Sequence, residues 1–416
     1  MKKLFSAILI LIGIMSMSAC TKSDALVKEG KITITYWASM GGADSEAMQK
    51  IVHGFNTSQD RYELDAQFIT SDYYKKMDLT VANNMVGMPD VMVMHSDKLA
   101  TYAKRGILAP ISDLGQSDLL VEDSYSETAW KAGEFEGVHY TVPLDIHGPV
   151  MYYNKALFAE AGLDPENPPT DMTSFLEAAQ KTTHGDNYGF VMSTDFINEF
   201  LLESMVEQHG SSFFDNQNYP NFNTSEMQDV LQFEMDLIHK YQITPKDDYD
   251  TVGNFLRGNV AIIFNGPWSA PTFENADLDW GMAEIPQFYH EKQAVTCKSH
   301  QFAIPATLTD SDKQAGVKAF LEYVSQNSMD WSNSGQAPAS KAVYESSEFQ
   351  EKPQLAMAKQ FKRAVFTPQV DSIGLYSQML YAQVSEILYG RKSIAEGLLQ
   401  AQKDAENMYQ AEHLGK

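Results

Sequence analysis

The stretch KITITY at residues 31–36 alternates its side chains with a period of two and is rich in β-branched residues, which predicts a first β-strand. A stretch with helical spacing of apolar residues comes next. It is followed by a second strand at 62–70, a second helical stretch at 72–85 and the continuous apolar run VMVM at 91–94. Strand, helix, strand, helix and buried strand in this order predict a parallel α/β sheet.

The first helix is predicted from its apolar residues between Met48 and Phe55, which recur at the three-and-four spacing of one helical face. Residues 37–42 are predicted to form the loop that leaves the first strand. Asp44 or Ser45 is the expected cap of the helix, because a short polar side chain accepts hydrogen bonds from the free N–H groups of the first turn.

The same alternation of elements continues through the rest of the chain, which contains no internal repeat. Further strands are predicted at 138–142, 188–192, 260–264, 280–285 and 301–304. Further helices are predicted at 171–181, 225–241, 312–325 and 379–409, the last divided near Gly390. A chain of 416 residues has room for two or three domains, and these elements fit two α/β lobes.

The composition is acidic, with 55 Asp and Glu against 31 Lys and Arg and a net charge of -24. Nucleic acid is not an expected partner, because a phosphate backbone is bound by clustered basic residues. Cys20 and Cys297 lie far apart in the sequence. Neither a disulfide framework nor a cysteine-rich metal site is therefore expected.

The first residues have the form of an export signal. Two lysines precede an apolar stretch at 4–17 that is too short to span a membrane. It ends in MSAC at 17–20, which resembles a bacterial lipoprotein box, although Met stands where that box usually has Leu. The expected processing is a signal peptide at 1–19, a lipid on Cys20 and a polar tether over 20–30 that anchors the protein to the membrane. The alternative is a plain signal peptide.

Sequence motifs of catalysis are absent from the chain. It has no G-x-S-x-G elbow, phosphate-binding loop, dinucleotide fingerprint or H-E-x-x-H zinc helix, and none of its ten histidines has another four residues later. The acidic run at 247–253 partly resembles a calcium loop, but Asn259 stands where that loop needs a bidentate Glu. The sequence therefore predicts a protein that is not an enzyme and has no cofactor or metal.

Several short motifs recur in the order of a known family. They are TYW at 35–37, GMPDV at 87–91, GILAPI at 106–111, VPLD at 142–145, YYNKALF at 152–158, AGL at 161–163, PPT at 168–170, G-x-x-A at 258–261, GPW at 266–268 and GQAPA at 335–339. In this order they resemble the extracellular solute-binding proteins of ABC importers, in particular the large carbohydrate-binding family that includes the maltose-binding proteins. The resemblance runs from Ile32 to about Gly397, and each motif alone is weak.

The resemblance implies an α/β, two-lobed periplasmic-binding-protein-like fold with a central ligand cleft. It also implies three hinge crossings between the lobes, near 145–148, 298–301 and 337–343. The lobes implied in this way are an N-terminal one comprising 31–145 plus 301–338 and a C-terminal one comprising 146–300 plus 339–416. Each crossing is rich in small or polar residues, as expected of backbone that absorbs rotation.

Ligand-binding residues are expected where these crossings and the strand ends face the cleft. The expected residues are Trp37, His95, Asp145, His147, Trp268, Glu284, His300, Gln301, Trp331 and Gln336. Each has a structural alternative. The polar ones suit a hydrogen-bonded hinge network, and the tryptophans suit a hydrophobic core.

The function implied by the resemblance is that of a monomeric, lipid-anchored receptor that binds a carbohydrate outside the bacterial cell and delivers it to the permease of an ABC transporter. Aromatic residues make up 11% of the chain, and exposed rings suit the C–H face of a sugar. Two alternatives stay open. The chain could instead bind a quaternary ammonium ion in an aromatic cage, or another small polar solute. It could also be a secreted glycosidase lipoprotein, with Asp145 and Glu284 as the carboxylate pair.

Overall fold

The computed structural model describes residues 30–246, 248–370 and 372–413. The predicted signal peptide and lipidated Cys20 lie outside these residues. The strands are β1 Ile32–Ala38, β2 Tyr62–Phe68, β3 Val91–His95, β4 Glu134–Phe135, β5 Val138–His139, β6 Thr141–Pro143, β7 Asp145–Ile146, β8 Val150–Asn154, β9 Tyr188–Val191, β10 Val260–Asn265, β11 Trp280–Ala283, β12 Val295–Cys297, β13 His300–Ala303, β14 Ala337–Pro338 and β15 Ala364–Phe366.

The α-helices are distributed along the whole described chain. They are α1 Gly42–Ser58, α2 Tyr73–Ala82, α3 Leu99–Lys104, α4 Glu127–Lys131, α5 Lys155–Glu160, α6 Met172–Thr182, α7 Phe196–Gln208, α8 Ser225–His239, α9 Thr251–Leu256, α10 Ala270–Glu274, α11 Ser311–Asn327, α12 Met329–Ser332, α13 Lys341–Tyr344, α14 Ser347–Gln350, α15 Leu355–Gln360, α16 Ile373–Leu388 and α17 Ile394–His413. Among the described residues, none of these helices is both long and apolar enough to cross a membrane.

Two sheets form the centres of two lobes. The first has the strand order β2-β1-β3-β13-β6, and the second has the order β11-β8-β10-β9. The chain leaves the first sheet after β6, builds the second, and returns to the first at β13. In the first lobe α11 then packs against β1, while α16 and α17 pack against α8 on the second.

The prediction of a parallel sheet is correct only for the N-terminal strands. β1 pairs in parallel with β2 and β3, whereas β13 lies antiparallel to both β3 and β6. In the second sheet β8 lies antiparallel to β10 and β11, and β9 is parallel to β10. Both sheets are therefore mixed, because each contains a strand that arrives from a distant part of the chain.

Most predicted elements are confirmed within a few residues, and the exceptions have physical causes. The strand predicted at 138–142 is split into β5 and β6. The helix α7 was not predicted, because it is buried on almost every side and so lacks an amphipathic period. The last helical region begins earlier than predicted, at Ile373, and is divided around Gly390 as expected.

The first helix begins earlier than predicted. Its N-cap is Gly41, and no side chain caps it, so the prediction of Asp44 or Ser45 as the cap is wrong. β1 likewise continues through Trp37 to Ala38, where a loop was expected. Asp44 lies instead within the first helical turn.

Three segments that connect the lobes lie side by side. β7 pairs with β14 in an antiparallel bridge. His147 and Lys298 exchange two backbone hydrogen bonds, with N···O distances of 2.9 and 2.8 Å. These three segments coincide with the crossings that the resemblance implies.

Candidate functional site

A cavity of about 480 Å³ lies where the two lobes meet. This volume is in the range of small-molecule sites. The side chains that line it are Ser39, Asp44, His95, Asp97, Lys98, His147, Phe196, Phe200, Trp268, Lys298, His300 and Gln336. They come from the ends of β1 and β3 and the first turn of α1 in the first lobe, from α7 and the turn after β10 in the second, and from all three connecting segments.

A buried carboxylate, Asp145, organises the floor of the cavity from behind. Its Oδ1 lies 3.0 Å from Nδ1 of His147, and its Oδ2 lies 2.7 Å from Nδ1 of His300. Oδ2 also accepts a hydrogen bond from Nε1 of Trp331 at 2.8 Å, and Oδ1 accepts one from the backbone N–H of His300 at 2.9 Å. Both carboxylate oxygens of Asp145 are thus engaged by protein.

Electrostatics around Asp145 favour the charged carboxylate. Burial raises its pKa, but the adjacent His300 and His147 outweigh burial and hold the pKa well below its usual range. Burial lowers the pKa of His300, but the Asp145 carboxylate more than compensates, and the net shift is upward. For His147 burial prevails, and the pKa is lowered.

One wall of the cavity is polar. Nε2 of Gln336 donates to the Asp44 carboxylate at 3.2 Å, while Oε1 of Gln336 is buried and has no hydrogen-bond partner among the described residues. Burial raises the pKa of Asp44, partly opposed by His300. This wall therefore offers a buried carbonyl acceptor and a carboxylate to a ligand.

A charged corner adjoins this wall. Asp97 forms ion pairs with Lys98 at 3.4 Å and Lys298 at 3.6 Å. Burial raises the pKa of Asp97, but the two ammonium groups reverse the shift and lower the pKa to about 2. Because Lys298 belongs to a connecting segment, this corner ties the end of β3 to the hinge.

Another part of the lining is aromatic. The half-buried Trp268 stacks on Phe196, with ring centroids 5.8 Å apart and planes inclined by 24°. Phe196 is 51% exposed and stands one helical turn before Phe200 on α7. The same cavity thus offers apolar ring faces as well as polar groups.

Glycines hold Trp268 in place. A Cβ atom at Gly266 would lie 2.1 Å from the Trp268 ring. Gly335, whose φ is +99°, comes so close to the turn before Trp268 that its Cβ would lie 2.2 Å from the Pro267 carbonyl oxygen. Gly266 therefore packs closely against the Trp268 ring, and Gly335 packs closely against the turn that carries it.

The structure places half of the predicted ligand-binding residues on the cavity wall and half elsewhere. His95, His147, Trp268, His300 and Gln336 line the cavity. The other five do not belong to its lining: Trp37, Asp145, Glu284, Gln301 and Trp331.

Each of these five has protein partners instead. Trp37 is 7% exposed in a core cluster, with Nζ of Lys76 3.8 Å from its ring centre. Trp331 is fully buried behind Asp145. Gln301 bonds to Thr141, Ser299 and a backbone carbonyl inside the first lobe, and Glu284 pairs with Arg363 at 3.2 Å. The sequence analysis placed these five side chains on the surface of the cleft, whereas in the structure they lie outside the lining of the cavity.

Sequence reasoning did not find seven of the lining residues. They are Ser39, Asp44, Asp97, Lys98, Phe196, Phe200 and Lys298. Asp97 and Lys98 directly follow β3, so the strand-end argument applied to His95 would have included them. Phe196 and Phe200 lie four residues apart after β9, a spacing that places two rings on one helical face.

Two mixed α/β lobes joined by three connecting segments, with a cavity between them, define a two-lobed binding protein. Residues 50–357 match the family of bacterial extracellular solute-binding proteins, and the chain belongs to this family. Members of the family are binding proteins.

Relatives in sequence bind different solutes. The chain is 28% identical over 202 residues to the maltotriose-binding protein of Pyrococcus abyssi, a match that covers 48% of this chain and 42% of that protein. It is 20% identical over 390 residues to the galactooligosaccharide-binding protein of Bacillus subtilis, covering 90% of each. It is also 23% identical over 337 residues to the sn-glycerol-3-phosphate-binding periplasmic protein of Escherichia coli, covering 75% of each.

Solved structures share the fold. The cyclic α-maltosyl-1,6-maltose binding protein of Arthrobacter globiformis superposes with a TM-score of 0.78 at 22% identity, covering 92% of this chain and all of that one. The glycerophosphocholine complex of a Mycobacterium tuberculosis protein gives the same TM-score at 20% identity, again over 92% of this chain and all of that one. These likenesses establish the two-lobed periplasmic-binding-protein fold of the present chain.

Proposed function

We propose that this chain is a monomeric, lipid-anchored receptor that binds a sugar or oligosaccharide outside the cell and delivers it to an ABC transporter permease, without catalysing a reaction. The observation that carries the proposal is the cavity, whose lining combines the rings of Trp268 and Phe196 with the polar pair of Asp44 and Gln336. A sugar matches this contrast, because its C–H face packs on rings while its hydroxyls donate and accept hydrogen bonds. The oligosaccharide-binding relatives support the same ligand class.

Transport requires closure of the lobes on the ligand. The aromatic side chains belong to the second lobe, whereas Asp44 and His95 belong to the first. A sugar that touches both walls binds the closed arrangement better than the open one, and this difference in affinity drives closure.

The two alternative functions have less support. A glycosidase would need two available carboxyl groups flanking the sugar. Both oxygens of Asp145 are engaged by His147, His300 and Trp331, and Glu284 is paired with Arg363. A cage for a quaternary ammonium ion needs several open ring faces. The rings that line the cavity, Trp268, Phe196 and Phe200, all belong to the second lobe, while Trp37 of the first lobe is covered by Lys76. Aromatic rings from both lobes therefore do not enclose the cavity.

A ligand screen tests the proposal. We expect maltotriose, a galactooligosaccharide or an arabinooligosaccharide to raise the melting temperature, since a ligand at 100 times its dissociation constant stabilises by about 2.7 kcal/mol. The same sugar should reduce the radius of gyration in small-angle scattering. Glycerol 3-phosphate serves as the comparison ligand. If glycerol 3-phosphate raises the melting temperature and none of the sugars does, the ligand is a glycerol phosphate and the proposal of a carbohydrate is wrong.

A second prediction concerns the anchor. Cys20→Ala should release the protein from membranes or leave its signal peptide uncleaved, because the lipid is expected on this cysteine. Membrane fractionation with an intact-mass measurement decides between these outcomes. Cys297→Ala is the matched control, since this buried thiol should carry no lipid and its variant should fractionate like wild type. A Cys20→Ala protein that is cleaved and membrane-bound like wild type would contradict the assignment.

A further inference from the structure

Three histidines from distant parts of the chain converge on the cavity floor. His95 ends β3 and His300 begins β13, and the two are direct partners across these antiparallel strands. His147 reaches the same place from the connecting segment that is bonded to Lys298. The ring centroids lie 4.5 Å apart for His147 and His300, 4.8 Å for His95 and His300, and 6.0 Å for His95 and His147.

One nitrogen of each ring lies within 4.8 Å of a nitrogen of the other two. Zinc binds imidazole at about 2.0–2.1 Å in tetrahedral geometry, so ligating nitrogens lie about 3.3 Å from one another. The ring nitrogens must therefore approach by up to about 1.5 Å to hold a metal together. Since two of them are held on adjacent strands, this approach needs side-chain rotation and no change in the pairing of the sheet.

The outer partners of the rings are those of a metal site. Nδ1 of His147 and of His300 faces the Asp145 carboxylate, and Nδ1 of His95 lies 2.8 Å from the Tyr74 hydroxyl. Nε2, the second nitrogen of each ring, takes no part in these contacts. In zinc proteins the ligating histidine donates its second N–H to a carboxylate or another acceptor, which fixes the tautomer and the ring orientation.

We propose that His95, His147 and His300 bind a divalent transition-metal ion, Zn²⁺ in the first instance, through their Nε2 atoms at the floor of the cavity. Three imidazoles leave one position of a tetrahedral ion open, and all three histidines line the cavity. Asp44 lines the same cavity and offers a carboxylate nearby. The metal site is thus open to a ligand oxygen, and its existence does not depend on which solute the cavity accepts.

The test is titration of the untagged, chelator-treated full chain with Zn²⁺ in a calorimeter, followed by Co²⁺ as a spectroscopic substitute. We expect one Zn²⁺ per chain and visible Co²⁺ absorption of a nitrogen-bound ion. His95→Gln, His147→Gln and His300→Gln should each weaken Zn²⁺ binding about 100-fold or more. His53→Gln, an exposed histidine on α1, is the matched control and should bind like wild type.

Three results would overturn the proposal: no Zn²⁺ binding by the wild-type protein, unchanged binding in all three variants, or equal loss in the control. Circular dichroism and melting curves identify a variant that does not fold. His95 is the least buried of the three, so His95→Gln is the variant that decides if the others unfold. Its loss of Zn²⁺ binding with intact folding supports the site, and unchanged binding rejects it.

Discussion

Trp268→Ala should weaken binding of the sugar found in the ligand screen at least tenfold, about 1.4 kcal/mol, with only a small change in the melting temperature of the free protein. Trp268 is half-buried on the cavity wall and presents its ring beside Phe196. Its removal takes away a platform for the ligand, while the close approach of Gly335 to the backbone of Pro267 and Trp268 remains.

Trp37→Ala is the matched comparison and should behave in the opposite way. Trp37 is 7% exposed and packs in a core cluster of the first lobe with Tyr73, Met77 and Met92. Truncating a buried tryptophan costs about 3–5 kcal/mol of stability. Calorimetric titration and melting curves on both variants decide the matter. If Trp268→Ala loses stability and keeps its affinity, Trp268 is a core residue and the polar residues carry binding.

Glu234→Gln should make the protein more stable than wild type above neutral pH and flatten its stability profile between about pH 5 and pH 8. Glu234 is 1% exposed on α8, and neither carboxyl oxygen has a hydrogen-bond partner among the described residues. Burial raises its pKa to about 8, and Asn198 acts in the opposite direction.

The direction follows from proton binding. Below the ordinary glutamate pKa the folded and unfolded chains both carry the proton on Glu234. In that range the ionisation of this carboxyl does not change the free energy of unfolding. Between that value and about 8 the unfolded chain releases the proton and the folded chain keeps it. The free energy of unfolding therefore falls as pH rises, by up to about 1.4 kcal/mol per pH unit and several kcal/mol in total.

Denaturant titrations at several pH values measure this effect as the difference between wild type and Glu234→Gln. Taking the difference removes the contribution of other buried acids, such as Glu203, whose pKa burial also raises to about 8. The exposed Glu348 on α14 gives the control variant, Glu348→Gln, which should reproduce the wild-type profile. Parallel profiles for Glu234→Gln and wild type would show that this carboxyl is solvated in the folded protein.

Local periodicity predicted most of the elements, and long-range pairing accounts for what it missed. β1, α1, β2, α2 and β3 follow one another in the chain, so their parallel arrangement follows from connection rules. The antiparallel insertion of β13 joins His300 to a strand about 200 residues earlier. The local sequence of neither strand predicts this pairing.

Side-chain direction explains the mixed outcome at the site. His95 stands at the true end of β3 and faces the cavity, as a strand-end residue should. Trp37 lies within β1, where the pleat sends Tyr36 into one core cluster and Trp37 into the other. No rule based on sequence spacing could have predicted the histidine cluster, because its members are 52 or more residues apart in the chain. They are brought together by the pairing of β3 with β13 and by the connecting segment that contains His147.

The hydrogen bonds among the three connecting segments determine how the lobes move. A sideways shear of the lobes would break the backbone bonds between His147 and Lys298 and those between β7 and β14, whereas bending across this narrow strip would keep them. We therefore expect closure of the lobes on a solute to be a rotation about the strip with little shear. Trp268 of the second lobe and Asp44 of the first should then reach the same relative position each time, which limits the size of solute that the closed protein accepts.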